Sequence, residues 1–316
     1  VNVLMGFYFI GVIEMWKHKG IEFRREIQDV NGADMLAYLG RNQKEVLHRV
    51  NLENKSVMKA IRIQKEVVLI KLAILDKELI LSFPQLIHPT MQIAKAATDF
   101  VDEWFDLSRD LQPFYDLAHR DEILKEVVLA YKGLRIIAVE ELFEALSWSI
   151  MGQQISLQVA YGLKQKLVTT FGESVVHDDI EYWLFPSAEK VASLNVEELR
   201  NLSFTQRKAE YLIGVAELIA TDQLNKEQLL VMSLGEMETR LTAIRGIGKW
   251  SANYVIMRCL RHPDAFPLAD VGLHNALKKV LNQSEKPSLA EIEEWAKNWS
   301  GWRAYATFYL WRTLQE

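Results

Sequence analysis

The sequence predicts an α+β fold, with a small antiparallel β-rich N-terminal domain followed by an all-α body. Three observations lead there. Short apolar runs with partial two-residue alternation are confined to the first hundred residues. After them, apolar residues recur at helical spacing to the end of the chain. The length, 316 residues, exceeds one ordinary domain of roughly 100–200, and 7 Pro and 15 Gly are too few for long flexible linkers.

In chain order, residues 1–14 read as an apolar N-terminal extension. The stretch Val3–Ile13 is well short of the ~20 residues of a bilayer helix. It runs into Glu14-Met15-Trp16-Lys17, not into a small-residue cleavage site. The expectation is a soluble, cytoplasmic protein. Residues 15–105 are taken as the β-rich domain. Within it, Asn31–Leu47 is more helical, and Ala60–Gln64, Val67–Ile74 and Glu78–Phe83 form a three-stranded meander. The pattern changes near Pro84–Pro89, and residues 106–316 are taken as the helical body. Its helices are Glu140–Ile150, Ile155–Phe171 ending at Gly172, one from Ser187 as N-cap, Thr205–Ala220, Gly235–Ile244, Lys249–Leu260, one from near Ala269, Ser288–Trp299 and Trp302–Leu314.

Composition excludes several classes. Hydrophobic residues at 49% and charged residues at 25% describe a globular protein, not a disordered or collagenous one. The single cysteine, Cys259, excludes a disulfide framework and an all-cysteine metal or iron–sulfur site; it reads as core. A net charge of −5 gives no bulk attraction for nucleic acid, so any such contact needs a local patch.

One patch is visible. A helix ending at Ile244-Arg245 meets a second helix across Gly246-Ile247-Gly248. The two glycines permit positive φ and close approach. Ile247 can anchor the turn, and the second helix offers free N–H groups to an anion. Arg240, Arg245, Lys249, Arg258 and Arg261 fall between Arg240 and Pro263 without an acidic residue. A bare Gly-x-Gly would favour an ordinary glycine turn with solvated charges; the basic run and the residues downstream reverse that. Further on, Asp270 follows a Pro-bounded loop at the start of another helix, where an N-cap is its common use. Trp250 and Tyr254 share a helix face, and Trp295, Trp299 and Trp302 form a packing stripe.

This hairpin, with an Asp about twenty residues on, resembles the helix-hairpin-helix DNA glycosylase superfamily. Leu241–Leu277, Ser149-Ile-Met-Gly-Gln-Gln-Ile-Ser156 and Trp302-Arg-Ala-Tyr-Ala-Thr-Phe-Tyr-Leu-Trp311 closely resemble its DNA-3-methyladenine glycosylase II family. The likeness runs from about Pro113 to the end. It implies an enzyme of base excision repair that binds double-stranded DNA, flips out an alkylated base of the 3-methyladenine or 7-methylguanine type and hydrolyses the N-glycosidic bond. It gives Asp270 the catalytic role of stabilising the oxocarbenium-like sugar or orienting water. It places Trp250, Tyr254 and Trp311 in the base pocket. Gln154, or Gln153, becomes the wedge that fills the vacated stack. Gly246, Ile247, Gly248, Lys249 and Ser251 become the contacts to the DNA backbone.

Strand-nicking members of the superfamily carry a lysine at the second position after the last hairpin glycine. Here that position is Trp250, and Lys249 lies one residue early, about 100° away round the helix. The resemblance therefore implies a monofunctional enzyme without lyase activity. It implies no organic cofactor and no metal on side chains, with a structural Na+ or K+ at the backbone of Ile244 and Ile247, and a monomer. Two other readings stand beside it: a water-using glycosylase for oxidised or deaminated bases, and a non-catalytic lesion-binding protein. The chain departs from the family in two places. No glycine precedes Thr205-Gln-Arg-Lys-Ala209, so that loop is expected to take a different path. Val271, not an aromatic, follows Asp270, which points to a roomier pocket on that side.

Overall fold

The computed structural model describes residues 15–315, so the apolar stretch expected at 1–14 lies outside the described residues. The N-terminal part is an antiparallel sheet of six strands in the order β1-β2-β6-β5-β4-β3. They are β1 (Lys17–Lys19), β2 (Glu22–Glu26), β3 (Arg49–Asn51), β4 (Ser56–Ile63), β5 (Glu66–Ile74) and β6 (Glu78–Ser82). The meander expected from the apolar runs is its β4-β5-β6 portion. β4 and β5 pair from Ser56 with Ala73 to Ile63 with Glu66, and the turn between them starts at Gln64, φ +56°. β2 hides its alternation from the sequence because one of its two buried residues is Arg25, ion-paired with Asp102.

The helical reading of Asn31–Leu47 is too long. The helix α1 spans Gly32–Leu39. Beyond it, Asn42 Oδ1 accepts from the Lys44 N–H, a side-chain turn that competes with helix.

After the sheet come α2 (Met91–Trp104), α3 (Gln112–Ala118), α4 (Leu124–Ala130), α5 (Leu142–Met151), α6 (Leu157–Phe171), α7 (Ala188–Ala192), α8 (Val196–Asn201), α9 (Gln206–Ala220), α10 (Lys226–Leu230), α11 (Leu234–Thr242), α12 (Lys249–Arg258), α13 (Val271–Val280), α14 (Leu289–Lys297) and α15 (Arg303–Arg312), of which α2 precedes the body as bounded from the sequence. Ser187 caps α7 as expected, and Thr205 and Ser288 cap α9 and α14. Gly172 does end α6, but at φ −76°, outside the left-handed region. Glycine is needed there for room, since a Cβ would lie 2.5 Å from the carbonyls of Val168 and Leu184. Leu184 belongs to a hairpin the helical reading missed, β7 (Glu173–His177) with β8 (Ile180–Leu184). Its turn is Asp178-Asp179, both at positive φ, a weaker signal than Asn-Gly.

Sheet and body share one apolar core, which runs from Trp16 and Leu72 to Trp299 and Phe308. Cys259 is buried in it. The other face of the sheet, at Ala60 and Leu69, is covered by Tyr182 of β8. Charge is buried where the two parts meet. Lys164 of α6 lies 3.0 Å from both Glu45 and Glu144. Burial opposes its charge, but the two carboxylates outweigh burial and raise its pKa.

Candidate active site

The hairpin joins α11 to α12 through Gly246-Ile247-Gly248, and Ile247 is buried as the sequence suggests. The two glycines do different work. Gly246 sits at φ +94°, and a Cβ there would stand 2.4 Å from the Tyr211 ring. Gly248 has an ordinary φ of −92° and open space around it. Neither packing nor backbone conformation demands glycine at 248. What it does is leave the first turn of α12 bare. It offers no side-chain cap, so N–H groups of Lys249, Trp250 and Ser251 stand at the positive end of the helix without intrahelical partners.

The basic run is thinner than it reads in the sequence. Arg258 is buried, and Arg261 faces Glu103 and Asp106. Arg240 donates to the Gln223 carbonyl. Arg245 and Lys249 remain exposed beside the turn, each near a carboxylate, Glu210 and Glu238. The backbone, more than the side chains, makes this tip attractive to a phosphate.

The segment after α5 is pinned to the hairpin. Gln153 Nε2 donates to the Gly246 carbonyl at 2.8 Å and to Ser251 Oγ at 3.3 Å. Lys208 donates to the carbonyls of Met151 and Gln153, both at 2.8 Å, closing the end of α5. Its partial burial lowers its pKa. The side chain of Gln153 is thus committed to the turn. Gln154 next to it is exposed at φ +56°. In the loop lacking its expected glycine, Ser203 holds φ +77°, where glycine is favoured.

Asp270 caps α13 and does more. Its Oδ1 accepts from the Leu273 N–H at 2.7 Å and from Trp311 Nε1 at 2.7 Å. Its Oδ2 accepts from Trp250 Nε1 at 2.9 Å. A carboxylate has about four acceptor positions; three are filled, and the one left is on Oδ2. The two indoles come from α12 and α15, sequence distances of 20 and 41 residues. Gly272 makes room for this, because a Cβ there would lie 2.8 Å from Asp270 Oδ1 and 3.2 Å from Trp311 Nε1. Tyr254 stacks on Trp250, centroids 5.9 Å apart.

The loop before Asp270 is held at three points. Asn253 of α12 accepts from the Phe266 N–H and donates to Glu238. Asp264 pairs with Arg303 at the start of α15. His274 contacts the Leu268 carbonyl at 2.7 Å. The structure thus brings Asp270, Trp250, Tyr254 and Trp311 together, beside a hairpin that presents free amides. Gln153, Ser251, Lys249 and Gly248 lie around that hairpin. Val271 is exposed, at 63%. The sequence reading missed Gly272, Asn253 and Lys208. Only the Lys-Ala pair opening α9 was a signal for the last. Among the described residues, no cluster of three or more His, Cys, Asp or Glu could hold a metal ion.

An Asp gripped by two indoles thus stands beside a glycine-turned helical hairpin, and sequence comparison assigns the class of protein that carries them. Residues 147–301 match the family described as HhH-GPD superfamily base excision DNA repair protein, and residues 41–146 match the 8-oxoguanine DNA glycosylase N-terminal domain. The chain belongs to the HhH-GPD superfamily of base excision DNA repair proteins, and it is a DNA glycosylase.

Among its relatives, a DNA-3-methyladenine glycosylase of Bacillus subtilis is 42% identical over 92% of this chain and 95% of its own length. DNA-3-methyladenine glycosylase 2 of Escherichia coli is 29% identical over 58% of this chain and 62% of its own. In fold, a 3-methyladenine DNA glycosylase from Archaeoglobus fulgidus superposes with a TM-score of 0.78 at 24% identity, covering 91% of this chain and 96% of that one. An 8-oxoguanine glycosylase/lyase from Clostridium acetobutylicum superposes with 0.73 at 18% identity, covering 94% and 98%. No helix among the described residues is long and apolar enough to cross a membrane.

Proposed function

We propose that this glycosylase acts as a monomer on alkylated purines in duplex DNA, of the 3-methyladenine and 7-methylguanine type, and releases them by hydrolysis without cutting the strand. The observation that carries the reading is the Asp270 carboxylate held between Trp250 and Trp311 with one acceptor position open. Purines alkylated at N3 or N7 are cations, and electron-rich indole and phenol faces favour a cation over a neutral ring. As the glycosidic bond lengthens, its electron pair leaves with the base and the sugar gains oxocarbenium character. Asp270 is fixed in advance to face that charge, so little reorganisation is needed when it develops. The open position on Oδ2 accepts a proton of the water whose oxygen bonds to the anomeric carbon. Before this, the duplex must give up the base. In this reading the bare first turn of α12 binds the phosphate backbone, the Ile244 and Ile247 carbonyls would hold a Na+ or K+ that would add positive charge for a phosphate, and exposed Gln154 fills the vacated stack.

Hydrolysis without lyase chemistry is supported by what stands next to the carboxylate. Trp250 offers an indole N–H that cannot form a Schiff base, and the Lys249 amine is exposed and lies 3.8 Å from Glu238. The test is incubation of the protein with methylated duplex DNA, with separation of released bases and of strands. Free 3-methyladenine or 7-methylguanine is expected, with strands intact until alkali. Strand cleavage without alkali, with an imine trapped by borohydride, would overturn the hydrolytic reading.

A further inference from the structure

The helix whose first turn is bare, α12, also grips the Asp270 loop, and it does so twice. Trp250 Nε1 donates to the carboxylate itself. Three residues on, along the same side of α12, Asn253 Oδ1 accepts from the Phe266 N–H at 3.0 Å, four residues before Asp270. The span between the two grips has little slack. The Leu268 N–H donates to the Phe266 carbonyl and the Asp270 N–H to the Pro267 carbonyl, both at 2.8 Å, and Pro267 fixes one φ. Packing alone does not fix this span. Phe266, Leu268 and Ala269 line an open cleft of about 780 Å3, together with Glu238, Lys249 and Asn253. Two other ties hold the loop, Asp264 to Arg303 of α15 and the Leu268 carbonyl to His274 of α13, the helix that Asp270 itself caps. Neither relates the loop to α12.

Asn253 is itself held on every side. It is buried, 7% exposed. Its Nδ2 donates to Glu238 Oε2 at 3.0 Å, across the hairpin on α11, and to the Lys249 carbonyl at 3.1 Å, in the bare first turn. Both amide hydrogens and the amide oxygen are therefore used. Glu238 decides which way the amide faces. An ionised carboxylate only accepts, so the NH2 end turns to Glu238 and the oxygen is left for Phe266. The opposite orientation would set NH2 against the Phe266 N–H, donor against donor, and oxygen against carboxylate.

We propose that Asn253, oriented by Glu238, is a positioning residue that sets the distance from the phosphate-binding first turn of α12 to the Asp270 carboxylate. This rests on the glycosylase reading above and deepens it. The reacting sugar belongs to the backbone that the turn holds, so the carboxylate serves it only at a set distance from that turn. The two indoles orient the carboxylate. Asn253 fixes where its loop stands along α12, through the Phe266 N–H and the short turns that follow.

The test is base release from methylated duplex DNA in single turnover, with protein in saturating excess. The intact protein is compared with Asn253→Ala, Asn253→Asp, Glu238→Gln and the double variant Asn253→Asp/Glu238→Gln. Affinity for duplex with a tetrahydrofuran abasic analogue and thermal unfolding are measured beside it. Saturation removes any change in affinity that comes from freeing Lys249, 3.8 Å from Glu238. Asn253→Ala leaves the Phe266 N–H unheld. It is expected to slow saturated release about a hundredfold, the cost of a misplacement of about 1 Å, and to keep abasic-site affinity within a few-fold. Asn253→Asp still offers Phe266 an acceptor but sets a second carboxylate against Glu238, and it is expected to be slow as well. Adding Glu238→Gln turns that contact back into a hydrogen bond with donor and acceptor exchanged. The double variant is therefore expected to release bases faster than Asn253→Asp, whereas Glu238→Gln alone is expected to bring no gain.

Wild-type saturated release by Asn253→Ala would overturn the proposal. So would a slowing matched by an equal loss of abasic-site affinity, which would make Asn253 a staple of the hairpin. A double variant that regains the unfolding temperature but not the rate would overturn it too. Should Asn253→Ala not fold, Asn253→Asp and the double variant decide the matter by the same comparison. If the intact protein releases no methylated base, the parent reading fails, and this one with it. Release by the intact protein that none of the Asn253 variants slows overturns this one alone.

Discussion

The proposed catalytic crest, made of the hairpin and the Asp270 loop, and the seam between the two domains manage charge in opposite ways. At the crest, polar groups are left open: bare amides at the start of α12 and one free acceptor position on Asp270. At the seam, charges are closed off from water and matched side by side, as Lys164 is with Glu45 and Glu144. The difference separates function from stability. Groups at the crest wait for a partner from outside, so losing one should cost activity and little stability. Around Lys164 the seam's charges already have their partners, so losing one leaves a buried charge unpaired.

The largest expected effect is on the crest. Asp270→Asn should slow base release by about a thousandfold, in the range of removing a preorganised charged group, while binding to abasic-site DNA survives. Its thermal unfolding should change by only about 1 kcal/mol, since the amide still caps α13 but can accept from fewer indoles. Base release at wild-type rate would break the comparison at its centre. Next comes the seam. Lys164→Met should cost about 3–5 kcal/mol in urea unfolding, because Glu45 and Glu144 lose their buried partner. A loss below about 1 kcal/mol would mean that water reaches the seam.

The two hairpin glycines make a finer test within one turn. Gly246→Ala must accept a positive φ and a clash with Tyr211, and should lose about 1–3 kcal/mol of stability. Gly248→Val meets no internal obstacle. It should melt as wild type but bind all duplex sequences about tenfold more weakly, because phosphate contacts carry no sequence information. If Gly248→Val instead lost stability and kept its DNA affinity, the roles of the two glycines would be reversed.

The smallest effect expected is in pH. Burial holds the Glu140 carboxyl at about 7, near Lys59, Glu144 and Lys226, with its Oε1 unpartnered. A folded pKa above the unfolded one favours the native state at low pH, and that contribution is lost as pH rises from about 4.5 through 7. Glu140→Gln should therefore stabilise the protein at pH 8 relative to wild type and make little difference at pH 4. Stabilisation that is equal at both values would refute the assignment.

How much of this was legible in the sequence follows from the range of the interactions. The hairpin, the caps at Ser187, Thr205 and Ser288, and the β4-β5-β6 meander are local patterns, and each is readable within a few residues. Asp270 was readable as a cap from its place in the chain, and as a catalytic group only through the family resemblance. That both indoles hold it was not legible, because Trp311 reaches back 41 residues and needs Gly272 to let it in. The seam was not legible at all. Lys164 and Glu45 are 119 residues apart, and Arg258 and Tyr38 are 220 apart. Arg258 shows the cost of reading composition as surface. It sits in a basic run and looks like a phosphate contact, yet folding turns it inward.

The β7-β8 hairpin carries one more consequence. It leaves the body after α6, lays Tyr182 against Met58 of the sheet, pairs Glu173 with Arg62 and accepts through the Val176 carbonyl from Gln85. The chain thus crosses between the two parts once along the backbone near Pro84–Pro89 and a second time through this excursion. A protease that nicks the first crossing would not release two fragments. They would copurify as a nicked pair, melt together in one transition and come apart only in denaturant.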